Sequence, residues 1–411
     1  MKAGEFNDPR KQQEAIQKSK ENFICLDCLD TSDHLIKKED IVRMPKRTKL
    51  LPECQKCSYS KNGYCSKSRV GDKLYGRDPD FIPVDHRCVL GKSTKDGGLI
   101  SMSELCCPLC KKPVRRIVGK PIIISIVGSR DSGKSCYIGV LLHELMSGLA
   151  SDFSWDVKSE EETIQNYRKN FGSIYDSQQT LNLTLKNDDG FYDPYVYFVD
   201  PHNKEPFTLI FFDTAGEDFA SDNLIENSAK HIFQANGIIF IIDPLKTEAL
   251  STLVDDKVIA ESSHNSIVSS LQNDQLLTMV STSIRKHLKI SEEKTIDIPL
   301  ALTLSKFDAL EKQFPPYNTV VNSSVHRRSG AYSEQDCESV NKEVVRFLLK
   351  QENMRVNAFI NQMDINYCNY HYFAVSALGL RNHPMAGRIS IPKPHRVEDP
   401  MLWILKENNV I

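Results

Sequence analysis

Short apolar runs recur along the second part of the chain, and each predicts a buried strand. Uninterrupted β-branched and aromatic residues are typical of strands that are covered on both faces. The six predicted strands are residues 121–128, 195–200, 207–213, 237–244, 298–308 and 370–378. The segment KSCYIGVLLHELMSG, with apolar residues at helical spacing, follows the first strand. This alternation predicts an α/β fold with a mostly parallel sheet. The short turn PHNKE makes residues 195–200 one antiparallel edge strand.

Charge and cysteine are both distributed unevenly, and together they place a domain boundary near Lys120. Residues 1–120 contain 25 Lys and Arg against 16 Asp and Glu, whereas residues 121–411 contain 27 against 38. Nine of the 12 cysteines also lie before the boundary. We therefore expect a polar tail at 1–20, a cysteine-rich module at 21–119 and an α/β domain at 120–411. Within the α/β domain we expect insertions near residues 151–190 and 245–265.

Three Cys-x-x-Cys pairs mark the first module as a small zinc-binding domain. Two thiolates three residues apart can hold one zinc ion from a tight turn, and a tetrahedral site needs four ligands. The preferred arrangement is an outer zinc-ribbon site around an inner site. The outer ligands are Cys25, Cys28, Cys107 and Cys110, and the inner ligands are Cys54, Cys57, Cys65 and Cys88. His86 is an alternative to Cys88, and Cys106 to Cys107. About two zinc ions per chain are expected, and their binding would supply most of the module's folding energy.

Two basic stretches, at 43–49 and 111–116, indicate what kind of partner the first module could bind. They fit a nucleic-acid patch, a solvated face or a surface for an acidic protein partner. Aromatic residues are not interleaved with them as base stacking requires, so a protein partner is favoured over nucleic acid. No apolar stretch approaches the ~20 residues of a membrane span, and the N-terminus has no apolar signal core. A cytoplasmic location is therefore predicted.

The segment GSRDSGKS at 128–135 joins the first strand to its helix, which is the setting of a phosphate-binding loop. Backbone N–H groups of such a loop surround the phosphates. We expect Lys134 to reach the β- and γ-phosphate oxygens and the Ser135 hydroxyl to ligate Mg²⁺. The predicted nucleotide-binding residues of this loop are Gly128, Asp131, Ser132, Gly133, Lys134, Ser135 and Cys136.

Four motifs follow successive strands in a fixed order. They are Gly-x4-Gly-Lys-Ser at 128–135, Asp-Thr-Ala-Gly at 213–216, Ser-Lys-Phe-Asp at 305–308 and Ser-Ala-Leu at 376–378. Over residues 120–411 this order resembles Ras-like P-loop GTPases of the translation-factor-related class. The strand end IIDP and the late segment VEDPMLWILKE are similar to bacterial GTPase domains of the double-GTPase type, which are often found in signalling or defence systems.

The resemblance implies guanine recognition. Asp308 would accept hydrogen bonds from guanine N1 and N2, which adenine cannot offer. Lys306 would lie along the base and brace the phosphate loop. The Ala377 amide would donate to guanine O6 while Ser376 holds that loop. Ser305 departs from the family, which has Asn or Thr there, but it keeps a hydroxyl that could brace the loop.

The resemblance also implies a metal site and a γ-phosphate sensor. Asp213 would hold Mg²⁺ through water, and the Gly216 amide would contact the γ-phosphate. A switch threonine should precede the second strand of the family. Thr184 is the candidate for it, and Thr180 is the alternative.

The residues near the γ-phosphate predict slow hydrolysis. Glu217 stands where Ras-like enzymes have the Gln that orients water, and a carboxylate there repels the phosphate. Glu217, or Asp218 beside it, could still act as a base. Arg130 could neutralise the γ-phosphate, and an arginine in that role is worth roughly 10³–10⁵-fold in rate. Alternatively, Arg130 pairs with Asp131 or Glu217 or lies in solvent.

These features predict a guanine-nucleotide switch or slow GTPase that holds GTP or GDP with Mg²⁺ and docks a protein partner through its zinc module. One alternative is an ATPase of a multi-component complex, although the strand end at Asp213 lacks the paired acidic residues usual in such engines. A second alternative is a nucleotide-locked, non-enzymatic adaptor that binds protein or nucleic acid through the zinc module.

Overall fold

The chain forms two compact units, Met1–Val118 and Gly119–Ile411. The computed structural model of the protein describes residues 22–26, 35–37, 40–45, 60–61, 64–65, 68–70, 73–75, 85–86, 100–101, 103–109, 114–130, 132–177, 181, 193–215, 230–254, 273–379 and 391–411.

The first unit is built from short antiparallel strands. They are β1 Asn22–Ile24, β2 Leu35–Lys37, β3 Val42–Pro45, β4 Ser60–Lys61, β5 Tyr64–Cys65, β6 Ser68–Val70, β7 Lys73–Tyr75, β8 Asp85–His86, β9 Ile100–Ser101, β10 Ser103–Cys106 and β11 Arg115–Ile117. Strand β1 lies between β11 and β2, and the remaining pairs are β3–β10, β4–β5, β6–β7 and β8–β9. Strands of two to four residues bury little apolar surface, which is typical of a module that needs other stabilising bonds.

A seven-stranded sheet forms the centre of the second unit. Its strands are β12 Lys120–Gly128, β13 Trp155–Ser159, β14 Tyr195–Pro201, β15 Phe207–Ala215, β16 Gly237–Ile242, β17 Leu300–Leu304 and β18 Tyr370–Ala374. Their order across the sheet is β13-β14-β15-β12-β16-β17-β18. The neighbours from β15 to β18 pair in parallel. The predicted α/β fold with a mostly parallel sheet is therefore confirmed.

The antiparallel side of the sheet differs from the prediction. Strand β14 pairs antiparallel with β15, as the PHNKE turn indicated. It is not the edge, because β13 pairs with its other side, also antiparallel. The prediction of one antiparallel edge strand was wrong, because β13, which lies within the predicted insertion at 151–190, adds a second antiparallel strand outside β14. In β13 only Trp155 is buried, and the exposed residues Asp156 and Lys158 alternate along the other face of the strand.

Nine helices cover the sheet in the part of the chain that the structure describes. They are α1 Lys134–Met146, α2 Gly148–Asp152, α3 Glu161–Tyr175, α4 Glu248–Ser251, α5 Asn273–Leu288, α6 Val325–Ser329, α7 Glu334–Leu349, α8 Met354–Asn366 and α9 Asp399–Glu407. Short 3₁₀ helices are formed by Lys230–Gln234, Pro244–Lys246, Phe307–Ala309, Glu311–Gln313 and Thr319–Val321. No helix among these residues is long and apolar enough to cross a membrane.

The core lies on both faces of the sheet. Strand β16 is buried along its whole length, and α9 packs close to its start. Gly237 permits this approach, because a Cβ there would lie 2.4 Å from Cγ2 of Ile404. Strands β17 and β18 end at Leu304 and Ala374, earlier than predicted. The residues that follow them are loops at the carboxyl edge of the sheet, where ligands bind in open α/β folds.

Candidate nucleotide-binding site

The phosphate loop runs from the end of β12 into α1. It is a tight turn, since the Ser132 N–H donates to the Ser129 carbonyl at 3.2 Å. Gly133 has a left-handed φ of 85° just before the helix, a conformation that costs glycine little. Gly128 is needed for space, because a Cβ there would lie 2.7 Å from Ser132 Oγ. The loop therefore leaves the N-terminal amides of α1 facing a position that favours an anion.

Lys134 forms an ion pair with Asp213, the residue near the end of β15. The two side chains are only 12% and 4% exposed. The other carboxylate oxygen of Asp213, Oδ2, is buried and has no hydrogen-bond partner among the described residues. An orphaned carboxylate oxygen suits a hard cation, because Mg²⁺ takes oxygen ligands. The residues present therefore fit the predicted Mg²⁺ at this strand end.

Lys306 crosses the phosphate loop and is held by a buried carboxylate. Its Nζ donates to Oδ2 of Asp243 at 2.7 Å, and its Cε lies 3.8 Å from the position of a Cβ on Gly133. Asp243 is fully buried at the end of β16, and its Oδ1 accepts from the Leu245 N–H at 2.9 Å. No motif of the sequence identifies Asp243, although an acidic residue directly after the apolar run GIIFII is a signal.

Ser305 connects the third motif to the phosphate loop. Its hydroxyl lies 2.8 Å from the Ser132 carbonyl and 3.1 Å from the Ile242 carbonyl, and its one proton is shared between these two acceptors. The side chain is buried. A shorter hydroxyl residue thus makes the bracing contact expected of the Asn or Thr that the family has at this position.

Asp308 and Ser376 meet at the ends of the two neighbouring strands β17 and β18. The Ser376 hydroxyl donates to Oδ1 of Asp308 at 2.5 Å and accepts from the Gly379 N–H at 3.1 Å. The Phe307 N–H donates to the Val375 carbonyl at 3.0 Å. Ala377, which follows, is partly buried against the core. One oxygen of Asp308 is therefore fixed by the Ser-Ala-Leu loop.

The remaining loop residues have different surroundings. Arg130 is exposed, and its backbone carbonyl accepts a hydrogen bond from Lys246 Nζ. Ser135 and Cys136 lie half-buried in the first turn of α1. Burial raises the pKa of the Cys136 thiol to about 11, which keeps it protonated and unreactive. Several predicted residues lie outside the described residues, namely Asp131, Thr180, Thr184, Gly216, Glu217 and Asp218.

A buried histidine lies behind the Asp-Thr-Ala-Gly motif and was missed by sequence analysis. Nε2 of His231 lies 2.6 Å from the Thr214 hydroxyl, and its ring stacks on Phe212 with centroids 4.0 Å apart. Burial lowers the pKa of His231 to about 3, so the ring is neutral. No sequence pattern links two residues 17 positions apart across a segment without periodicity.

A buried cluster of charged residues lies near α7 and α9. Donor atoms of His326, Asp336 and Asp399 fall within 4.8 Å of one another, as at a metal site. However, Arg396 Nη1 already binds both carboxylates, at 2.7 and 2.6 Å. Nδ1 of His326 accepts from the Ser333 N–H at 2.9 Å, so the neutral ring carries its proton on Nε2, which faces the carboxylates. A protonated nitrogen cannot ligate a metal. We therefore assign an ion-pair cluster.

For the predicted zinc ligands, the structure describes the side chains of Cys25 and Cys107, both buried, together with the alternative Cys106. The Leu109 N–H donates to Cys107 Sγ at 3.4 Å. Such a contact favours the thiolate, the form that binds zinc. Cys65 and His86 lie in β5 and β8. The other predicted ligands lie outside the described residues, namely Cys28, Cys54, Cys57, Cys88 and Cys110.

Comparison with known proteins gives three kinds of match. The family model described as Double-GTPase 2 matches residues 122–356. SaeC of Mycolicibacterium smegmatis, named as a candidate ESX-1 scaffolding and assembly protein, is 25% identical over 319 residues, which are 72% of this chain and 78% of SaeC. The chain also matches solved GTPase structures, and it spans about half the length of each of the two described next.

The S. cerevisiae Ski7 GTPase-like domain bound to GTP is 13% identical with a TM-score of 0.30, over 71% of this chain and 51% of that one. A GTP-binding protein of Sulfolobus solfataricus in complex with GDP is 12% identical with a TM-score of 0.25, over 70% and 53% of the two chains.

The family match covers more than half of the 411 residues. It begins within β12 and extends into α8, so it includes the phosphate loop, Asp213, Asp243 and the Ser-Lys-Phe-Asp motif. The chain therefore belongs to the double-GTPase 2 family of P-loop GTPase domains.

Proposed function

We propose that this protein binds guanine nucleotide with Mg²⁺ and acts as a switch that hydrolyses GTP slowly. The observation that carries the proposal is that the motifs form one connected site. Ser305 binds the phosphate loop through the Ser132 carbonyl, and Ser376 binds Asp308. Phosphate-binding and base-binding residues thus share one edge of the sheet, as a nucleotide requires.

Lys134, Ser135 and Asp213 would hold the phosphates and the metal. In the structure, the Lys134 ammonium and the Asp213 carboxylate pair with each other and are little exposed to water. Phosphate oxygens would replace the carboxylate as the partner of Lys134, and Asp213 would then face Mg²⁺ together with the Ser135 hydroxyl. When bound, the ion neutralises negative charge on the phosphates.

Asp308 would select the base. Its carboxylate offers acceptors only, which match the N1–H and the N2 amino group of guanine. Adenine presents an unprotonated N1 at the corresponding edge, so the half-buried Asp308 carboxylate would find no donors there. The contact with Ser376 fixes one oxygen and thereby the plane of the carboxylate.

Slow hydrolysis follows from the residue after Gly216. Glu217 in place of Gln would repel the γ-phosphate, and the exposed side chain of Arg130 is the second cation of the loop, beside Lys134. Lys134 would stabilise the transferred phosphoryl group. Turnover would then rise only when a partner orders these groups.

We further propose that the cysteine-rich module binds about two zinc ions and docks a protein partner. The buried Cys107 with its N–H···S contact supports the zinc site. The name of SaeC, a scaffolding and assembly protein, supports a protein partner and favours one second function, that of a nucleotide-locked adaptor. A Lys134→Ala variant separates the two functions, because an adaptor would keep its partner binding when nucleotide binding is lost.

Displacement of fluorescent mant-GTP tests the proposed function. We expect GTP and GDP to displace it at far lower concentrations than ATP. The Asp308→Asn variant should lose GTP binding and gain xanthosine triphosphate, because the Asn amide can donate to the xanthine O2. Equal displacement by ATP would refute guanine selectivity and favour an ATPase.

A further inference from the structure

A short segment near the C-terminus lies behind both base-reading motifs. Residues 393–397, here called the backing segment, run beside the Ser-Ala-Leu loop. The Ser376 N–H donates to the His395 carbonyl at 3.0 Å, and the His395 N–H donates to the Ser376 carbonyl at 2.8 Å. The Lys393 N–H donates to the Leu378 carbonyl at 3.0 Å. The backing segment lies outside the family match at 122–356. Its backbone nevertheless holds the Ser-Ala-Leu loop of the candidate site by three hydrogen bonds.

His395 contacts the other base-reading motif through its ring. The imidazole stacks on Phe307, with centroids 5.4 Å apart and planes at 13°. Phe307 is the residue between Lys306 and Asp308, and it is 2% exposed. Nε2 of His395 donates to the Val320 carbonyl at 2.7 Å, which fixes the ring plane. One residue thus touches the Asp308 motif by its side chain and the Ala377 loop by its backbone.

Arg396 anchors the backing segment from below. It has a left-handed φ of 53° and is 3% exposed. Its guanidinium donates to the Thr319 and Asn322 carbonyls at 2.9 and 2.8 Å, in addition to the carboxylates of Asp336 and Asp399. A strained backbone is retained only where its surroundings determine it fully. The next residue accepts a hydrogen bond from Tyr137 of α1, at 3.0 Å.

We propose that His395 is a positioning residue that determines base specificity by fixing the Asp308 carboxylate and the Ala377 amide relative to each other. This inference rests on the proposed binding of guanine nucleotide. Two hydrogen-bonding groups select guanine only if both meet the base at once, so a shift of either one weakens selection. The triphosphate is held by Lys134 and the phosphate loop, which His395 does not contact. Loss of His395 should therefore weaken selection of the base and leave binding of the phosphates unchanged.

Nucleotide competition with two His395 variants tests this assignment. His395→Ala removes both the stacking and the donor, and we expect the preference for GTP over ATP to fall about tenfold while ATP affinity stays unchanged. His395→Phe keeps a ring against Phe307 and should show a smaller fall in the same direction. It also serves as the second variant if His395→Ala fails to fold.

His371→Ala is the matched control. His371 is also half-buried, stacks on Trp403 at 4.8 Å and binds Glu338 at 2.8 Å, but it lies at the opposite end of β18. Its loss should leave the preference for GTP unchanged. An equal loss of GTP and ATP affinity in the His395 variants, or no change in the preference, would overturn the inference alone. A wild-type protein without preference for GTP would refute the proposed function as well.

Discussion

Acidification should destabilise the second unit, Gly119–Ile411, through one buried histidine, His231. Its ring contacts the Thr214 hydroxyl and stacks on Phe212, and the residue is 5% exposed. Burial lowers the pKa of His231 from 6.5 to about 3. In the unfolded chain the same ring takes up a proton near its ordinary pKa. Between these two values the unfolded state binds more protons than the folded state, so stability is complete above about pH 6.5 and falls as the pH is lowered.

The size of the effect follows from the distance between the working pH and the unfolded pKa. At pH 5 the solution is about 1.5 pH units below the pKa of the unfolded ring. Each unit of this difference stabilises the protonated, unfolded chain by about 1.4 kcal/mol. The folded ring gains almost nothing at that pH. Protonation of His231 in the unfolded chain should therefore lower the free energy of unfolding by about 2 kcal/mol between pH 7.5 and pH 5.

Denaturant unfolding of the wild type and of His231→Gln at both pH values measures this quantity. Glutamine can keep a hydrogen bond to Thr214 but does not titrate. The difference between the two pH values should be about 2 kcal/mol smaller in the variant. Other histidines titrate in both proteins and cancel in the comparison. Equal pH dependence of the two proteins would refute the assignment of a neutral, buried His231.

Three further predictions concern other contacts. Asp243→Asn keeps the acceptor for the Leu245 N–H but removes the charge beside Lys306, so GTP affinity measured by fluorescence titration should fall about tenfold, and unchanged affinity would contradict the role of Asp243. Arg396→Met leaves two buried carboxylates unpaired and should lower the free energy of unfolding in urea by about 3–5 kcal/mol, whereas a loss below about 1 kcal/mol would contradict the ion-pair cluster. Metal analysis of protein purified without chelator should find about two zinc ions per chain, and removal of zinc should unfold the first unit, while absence of zinc would refute the module.

Strands and loops that are marked by an uninterrupted stretch of sequence could be predicted from the sequence alone. The apolar runs predicted six of the seven sheet strands, and the strand–loop–helix pattern located the phosphate loop. These predictions succeed because a buried parallel strand needs an uninterrupted apolar run and a left-handed loop residue such as Gly133 needs glycine. Strand β13 was missed because its alternating residues bury only one face, and a five-residue alternation is a weak signal.

The contacts within the site depended on the tertiary structure. Asp243 and Lys306 are 63 residues apart, and Ser376 and Asp308 are 68 residues apart. They meet only because β16, β17 and β18 are neighbours in the sheet and end at one edge. His231 and His395 carry no motif at all. Their roles come from burial and from the rings they stack on, which the sequence does not encode at any fixed spacing. The sequence alone therefore predicted the residues that stand in the four motifs, whereas chain packing added groups such as Asp243 and His395 and decided which residues hold one another in place.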